Sequence, residues 1–397
     1  MRFLFFSPGY HPDIPGGAWR VTEELSRRLA GRGHDMDVIT NHPGASFEAF
    51  EIRAKVRIHR VGPARPSRWR PAFFERNRQA RMIGRELLDR AGGTVLVGTH
   101  HAYFEPAVRG LGVPWIAVFQ GPWAREYAWS ASARNRPAVW RLWDGWLERQ
   151  FEQRERRLLA GAKRIVVISR HFESKLSEWH PVALPPVQRL HDSVDLERFD
   201  VPSHREALRA EWGLRPADRM VLAVRRLDPR MGLEVLISAF ALVVPSVPQA
   251  QLWIAGTGPY DAALRRCAKG AGVVERVRFL GRVEEEVLPK LYGAADVTVM
   301  PSLDLEGLGL ATIESMACGT PVLGSRSAAT PEILEPLSPE LLFEPGSVQD
   351  LAMKLERSLT HPEGLPSAAR CREHVSERFS WEPWIRAWEQ WAEERET

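Results

Sequence analysis

Lysine is scarce in this 397-residue chain. Lys55, Lys163, Lys175, Lys269, Lys290 and Lys354 are the full set, so 48 of the 54 basic residues are Arg. Cysteine is also rare. Cys267, Cys318 and Cys371 are odd in number, widely spaced and outside any CxxC or Cys/His cluster, which argues against a disulfide framework or a structural zinc site. Reduced thiols fit a cytoplasmic protein. Long hydrophobic runs are missing too. The apolar start, Met1 to Phe6, is short for a signal peptide, and no stretch approaches the roughly 18–20 apolar residues of a membrane span. The expected location is therefore cytoplasmic, with peripheral contact at the inner membrane face as a variant of that reading. A strong charge of one sign is lacking. The net charge of +4, with a sequence pI near 9.1, makes a general nucleic-acid binder a poor expectation. No internal repeat or low-complexity tract breaks the chain.

What remains is a globular composition, 44% hydrophobic, with an excess of Arg and 15 Trp. Arg suits bidentate contact with phosphate, and Trp suits sugar faces and interfaces, although most of the Arg bias reads as compositional. Short Val/Ile/Leu/Phe runs without polar alternation read as strands buried on both faces. They fall at 2–7, 36–40, 94–98, 115–119, 164–169 and 187–190, then at 220–224, 251–255, 276–280, 296–300 and 322–324. Helical patterns such as 18–32, 233–244 and 260–270 lie between them. This alternation predicts an α/β chain with parallel sheets, and eleven strands predict two sheets of five or six. A Pro-rich break near 180–205 separates them. The expectation is two doubly wound domains facing across a cleft: 1–195, 196–378, and a C-terminal helix over 379–397 crossing back to the first. Trp381, Trp384, Trp388 and Trp391 form one stripe of that helix, read as its packed face, since Glu382, Glu389, Glu393 and Glu394 would repel anionic lipid.

The most informative stretch runs from Pro301 to Val322. A strand ends at Met300, a loop with Gly307 and Gly309 follows, and then a helix begins. Bare backbone N–H groups at a helix start form an anion site suited to a diphosphate, over Gly307, Leu308, Gly309 and Leu310. Glu306 stands at its mouth. Glu314 lies one to two turns inside, where a ribose diol would satisfy a buried carboxylate.

The stretch resembles the Glu, seven residues, Glu motif of family 4 retaining glycosyltransferases (glycosyl transferases group 1), which have the GT-B fold. The flanking Pro301-Ser302, Glu306-Gly-Leu-Gly-Leu and Ile313-Glu314-Ser-Met-Ala-Cys-Gly-Thr-Pro-Val carry the likeness. So do Pro15-Gly-Gly17 before Glu24-Leu-Ser, the segment Val194-Asp195-Leu-Glu-Arg-Phe199, and Val277-Arg-Phe-Leu-Gly281-Arg-Val283. The resemblance implies transfer of a sugar from a nucleotide diphosphate sugar to an acceptor hydroxyl on a glycan, lipid-linked or small-molecule partner. It implies no cofactor and no metal, and Asp304 alone is no metal pair. It places Gly17 on the donor phosphates, Gly281, Arg282 and Val283 around the nucleobase, Glu314 on the ribose and Glu306 on the donor sugar.

Three positions depart from the family pattern; one is Ser193, which stands in place of a glycine before Val194-Asp195. The family's Arg, Leu, three residues, Lys, Gly reads here as Arg226-Leu227-Asp228-Pro229-Arg230-Met231-Gly232. Met231 cannot neutralise a phosphate, so Arg226 and Arg230 are expected to share the clamp, with Arg225 adjacent. Gln120 stands where relatives tend to carry a His near the donor sugar; it can hydrogen-bond but cannot act as a base. His100, beside His101, is the nearest other imidazole. Glu126, Arg125, Trp123 and Trp129 are acceptor-side candidates. Trp140, Trp143, Leu147 and Phe151 form a helical stripe read as a buried face, with an acceptor groove or a membrane-facing edge as its functional alternative. The competing functions are a non-catalytic or weakly hydrolytic sugar-nucleotide-binding relative, suggested by Met231 and Gln120, and a GT-B epimerase. A glycogen-type phosphorylase would need a pyridoxal-phosphate lysine, which so few lysines make a poor fit.

Overall fold

The computed structural model describes residues 1–63, 72–132 and 137–394. It divides into two compact units. The first comprises the described residues of Met1–Ala128, Arg136–His191 and Trp381–Thr397; the second comprises those of Trp129–Asn135 and Asp192–Ser380.

The first unit is built on β1 (Arg2–Phe6), β2 (Asp35–Asn41), β3 (Phe50–Arg53), β4 (Val56–Val61), β5 (Val95–Thr99), β6 (Trp115–Phe119), β7 (Arg164–Val167) and β8 (Val187–Arg189). They lie in the order β3-β4-β2-β1-β5-β6-β7-β8, all parallel except the β3–β4 hairpin. The second is built on β9 (Arg219–Val224), β10 (Ala250–Ala255), β11 (Val277–Gly281), β12 (Val297–Met300), β13 (Val322–Ser325) and β14 (Leu342–Phe343), in the order β11-β10-β9-β12-β13-β14, all parallel. The sheets thus have eight and six strands rather than five or six each. The strands added to the expected set are β3, β4 and the two-residue β14. The β3–β4 turn is Ala54-Lys55, with φ of 48° and 67°. Such a turn usually advertises itself by Gly or Asn, so a hairpin closed by Ala-Lys carries no composition signal.

Each sheet is covered by amphipathic helices. In Gly17–Gly31 the spacing of Val21, Leu25 and Leu29 puts one apolar row on the sheet, and the chain leaves the helix through Gly33 at φ 88°. In Leu233–Val243 the buried row is Leu233, Leu236, Ile237, Phe240 and Val243. Full burial of each such side chain stabilises by roughly 1.5–3 kcal/mol. The C-terminal helix Glu382–Glu393 packs in the first unit, with Trp384, Trp388 and Trp391 buried. The Trp388 ring lies against Phe5 on β1, and a Cβ on Gly98 of β5 would stand 2.5 Å from it, so only glycine fits there. Arg32 and His34 pair with Glu389 on the outer edge of the same helix, and Arg32 also pairs with Glu382.

The helix Ala138–Gly161 corrects one expectation. Trp140 and Trp143 are half exposed, as is Trp146, and Leu142 is 78% exposed. Leu147 and Phe151 are partly covered. The buried row is Asp144, Glu155, Leu158 and Leu159 instead. Tyr127 donates to Asp144 at 2.6 Å, and Glu155 accepts from the Trp123 and Ala124 N–H groups, so the polar members of that row are hydrogen-bonded inward. Periodicity located the helix but could not distinguish its core face from an apolar outer face.

Candidate functional site

Both sheets reverse strand order beside their first strand: between β1 and β5 in one, between β9 and β12 in the other. Ligands of doubly wound sheets gather outside the carboxyl ends of strands at that point. The Glu306 loop follows β12 and the Arg225–Gly232 loop follows β9, so the two stretches singled out in the second half meet at its switch point.

Their meeting is fixed by backbone. Leu303 N–H donates to the Arg230 carbonyl at 2.8 Å, and the Ser325 and Ser327 hydroxyls, at the end of β13, donate to the carbonyls of Ser302 and Leu303. Gly232 has φ 66°, and a Cβ there would lie 1.9 Å from the Pro301 carbonyl oxygen. Gly256 (φ 139°) and Gly258 are equally constrained: their added Cβ atoms would strike the carbonyls of Arg225 and Leu227 at 1.8 and 2.1 Å. These two glycines therefore serve close packing of the β9 and β10 loops. Leu305, a non-glycine residue at φ 58°, turns the chain immediately before Glu306. Such a conformation costs of order 1 kcal/mol or more and persists only when the surroundings impose it. Here Asp304 accepts from Leu305 N–H and Arg230 Nη1 donates to the Leu305 carbonyl.

Glu306 is largely buried, with its side chain 12% exposed. Arg225 Nη2 donates to its carboxylate, and Ser302 Oγ donates at 2.8 Å. Burial alone would raise its pKa; the nearby charges of Arg225 and Arg230 and the hydrogen bonds from Arg225 and Ser302 outweigh that and hold it below the usual carboxylate range. It is an anion at neutral pH. The helix Leu310–Ala317 starts four residues later from Gly309, in the left-handed region at φ 88°. The first N–H groups of a helix have no intrahelical acceptor. Gly307, Leu308, Gly309 and Leu310 thus assemble beside Glu306, with Leu308 buried beneath. Glu314 is buried in the same helix, and one of its oxygens accepts from the Tyr292 hydroxyl at 3.0 Å. Gly281 (φ 68°), with Arg282 and Val283, forms the turn after β11, where the Gly281 carbonyl accepts from Gly256 N–H.

Arg225 and Arg226 point differently. Arg225 is buried at the carboxylate, whereas Arg226 is exposed. Asp192 is a further group that sequence reasoning passed over. It is buried, its Oδ1 has no hydrogen-bond partner, and burial together with the neighbouring Glu306 charge pushes it up to about 7. No spacing signal marks it.

The first unit gathers its candidates at the equivalent ends of β5 and β6. His100 Nδ1 lies 3.3 Å from Gln120 Nε2. The His100 ring stacks parallel to Trp388 and tilts against Phe5. Burial pushes its pKa down to about 3, so it is neutral. Its Nε2 and Gln120 Oε1 are buried without a partner. Trp123 stacks on Phe151 at 3.8 Å between centroids and contacts His101, so much of its ring is engaged within the unit. Glu126 lies one turn along the same helix. Glu155, also passed over, caps the start of that helix through the Trp123 and Ala124 N–H groups, and burial raises it to about 8. Gly17 opens the helix after β1, behind Gly16 at φ 153°. Among the described residues there is no cluster of three or more His, Cys, Asp or Glu suited to a metal ion, and no helix long and apolar enough to cross a membrane.

Comparison with known proteins matches this arrangement. The family described as Glycosyltransferase Family 4 matches residues 15–198, and Glycosyl transferases group 1 matches residues 204–378. A GDP-mannose-dependent monoacylated alpha-(1-6)-phosphatidylinositol monomannoside mannosyltransferase of Corynebacterium glutamicum is 35% identical over 207 residues, 50% of this chain and 54% of that protein. The GDP-mannose-dependent alpha-(1-6)-phosphatidylinositol monomannoside mannosyltransferase of Mycolicibacterium smegmatis is 38% identical over 186 residues, 45% of this chain and 48% of that one. The chain thus spans about half the length of the curated relatives it matches. Among solved structures, sucrose-phosphate synthase from Thermosynechococcus elongatus superposes with a TM-score of 0.82 at 23% identity, covering 99% of both chains. The two Rossmann-like units are those of the GT-B fold, and the chain belongs to the family 4 glycosyltransferases.

Proposed function

We propose that this chain is a retaining glycosyltransferase that moves a sugar from a nucleotide diphosphate sugar to an acceptor hydroxyl. The observation that carries the reading is the ionised Glu306, held by Arg225 and Ser302 beside a glycine-capped helix start at a switch point. In this reading the second unit binds the donor. Glu314 takes the ribose, Gly281, Arg282 and Val283 border the base, and the helix start at Gly307–Leu310 faces the diphosphate with Arg226 and Arg230. As the bond from the anomeric carbon to the phosphate oxygen breaks, charge grows on the diphosphate, where preorganised N–H groups and guanidinium charge stabilise it. The acceptor oxygen bonds to the anomeric carbon on the face being vacated, and its proton passes to the departing phosphate. Glu306 orders the sugar hydroxyls and meets the positive character of the oxocarbenium-like centre. The Arg charges and helix start do the work of a metal, so chelation by EDTA should leave the rate unchanged. In the first unit, Gly17, His100 and Gln120 serve the donor side, and Trp123 and Glu126 the acceptor.

The relatives' names make GDP-mannose the first donor to test, with a lipid-linked phosphoinositol mannoside as the first acceptor. Incubating the chain with GDP-, UDP-, ADP- and dTDP-sugars, while measuring nucleotide release and product anomer by NMR, tests the reading. Release that needs an acceptor and keeps the anomeric configuration supports it. A new sugar nucleotide formed without an acceptor would instead indicate an epimerase.

Peripheral membrane contact belongs to the same proposal. On the helix Ala138–Gly161, exposed Arg141, Arg149 and Arg157 accompany exposed Trp140, Leu142, Trp143 and Trp146, while Glu152 is paired with Arg156. Arg with Trp is the pairing that suits an anionic headgroup zone. Sedimentation with phosphatidylglycerol vesicles tests it. Binding should fall on Trp143→Ala/Trp146→Ala, and unchanged binding would remove this part of the proposal.

A further inference from the structure

The Arg225 guanidinium is buried, with its side chain 7% exposed, yet its donors are unevenly used. Nη2 serves Ser302 Oγ at 2.6 Å and the Glu306 carboxylate. Nη1 meets only the Met300 sulfur, at 3.9 Å, and Nε has no partner. A buried guanidinium with N–H groups left unspent is costly unless something completes it. The same Nη2 lies against the Met231 sulfur, 2.8 Å away. Met231 is the position at which the family pattern would put a lysine. A lysine there would bring its ammonium to the place now held by the guanidinium, and the two cations would repel each other at that spacing.

We propose that Arg225 is the cation that binds the donor diphosphate at this site, supplied from β9's end in place of a lysine at 231, so that Arg225 and Met231 are a coupled pair. The inference rests on the donor-binding reading above. The diphosphate oxygens complete Nε and Nη1, while Nη2 keeps Glu306 in place. A planar guanidinium suits this double duty, because it can meet a phosphate and a carboxylate along different edges. Arg226, exposed, and Arg230, whose charge reaches Glu306, keep their places beside it.

Isothermal titration with GDP and GMP tests the pairing, or with the diphosphate and monophosphate of whichever base the donor screen selects. Arg225→Gly should weaken GDP binding about tenfold or more and GMP binding far less, because the distal phosphate loses its partner. Met231→Lys alone should also lower turnover, by crowding two cations. Arg225→Gly/Met231→Lys should recover GDP affinity and rate to within a few-fold of the unmodified chain, the reciprocal rescue expected of coupled residues. If Arg225→Gly does not fold, Arg225→Lys gives the same readout: GDP binding falls and GMP binding holds. A double variant no better than Arg225→Gly, or equal losses for GDP and GMP, would overturn the pairing and reduce Arg225 to a support for Glu306. If the unmodified chain binds no nucleoside diphosphate, the donor-binding reading itself fails, which is a separate outcome.

Discussion

The two units put polar side chains at corresponding places, the strand ends beside their switch points, yet the chemistry there is opposite. In the second unit the group is a buried anion held by a guanidinium and a hydroxyl, Glu306 with Arg225 and Ser302. In the first it is a neutral imidazole beside a neutral amide, His100 with Gln120, each with one buried polar atom lacking a partner. Charge is costly to bury and is kept where it acts on charge. Neutral donors and acceptors are cheaper to hold in reserve for hydroxyl groups. The difference suits the proposed roles, in which the second unit carries the charged groups around the breaking bond and the first offers neutral partners to hydroxyl groups.

The sharpest way to break this contrast is to remove the charge. Glu306→Gln should lower the rate of sugar transfer by about 10³-fold or more while nucleotide binding survives. Gln120→Ala should cost far less in the same assay, and equal losses would erase the distinction between the units. Next in size is the support of the neutral corner. Trp388→Ala should destabilise the chain by about 3–5 kcal/mol, read by urea denaturation, because the ring fills the space over Gly98, Phe5 and His100. Nucleotide affinity measured on the folded fraction should not change. Glu314→Ala should weaken nucleotide affinity roughly tenfold, about 1.4 kcal/mol, with a smaller effect on kcat. An unchanged Kd would show that Tyr292, and not a ribose, is its purpose.

Smaller effects depend on pH. Asp192 titrates at about 7 in the folded chain against an ordinary value of 3.8, through burial and the Glu306 charge. The folded chain therefore holds a proton that the unfolded chain releases. Its stabilising contribution is full below about pH 4, declines as pH rises toward 7, and levels off above. Asp192→Asn removes that decline, so thermal melts from pH 5 to 8 should show the variant gaining on the unmodified chain, by at most about 1.4 kcal/mol per pH unit. Parallel curves would mean that the carboxyl is already ionised. His100→Gln should be the quietest. Burial keeps this imidazole neutral down to about pH 3, so the pH–rate profile between 5 and 8 should keep its shape.

How much of this was legible in the sequence follows from where free energy is visible in residue types. The strands expected in the second half all appear, because segments buried on both faces must be apolar throughout. The Glu306 loop was legible because bare backbone and a left-handed turn require glycine. The β3–β4 hairpin was hidden by a turn that lacks the residues turns favour. Arg225 and Arg226 were indistinguishable because adjacent residues at a strand's end point to opposite sides, and only the fold determines which side holds Glu306. The stripe of Trp140, Trp143, Leu147 and Phe151 misled for a related reason: the same period serves a core face and an exposed one. Asp192 had no signal at all, since a single carboxyl acquires its character only from what is packed around it.

The way the chain closes has a practical consequence. Ser193 Oγ donates to the Ser380 carbonyl, and Val194 N–H to the Phe379 carbonyl, so the two ends of the second unit's long segment are laced together. Topologically, the span 192–380 is an insert whose ends already touch, which is the arrangement tolerant of excision or of new termini. The tail beyond it is anything but dispensable. A stop codon after Ser380 would spare the second unit and instead hollow out the first, where Trp388 lies against Phe5 of the opening strand.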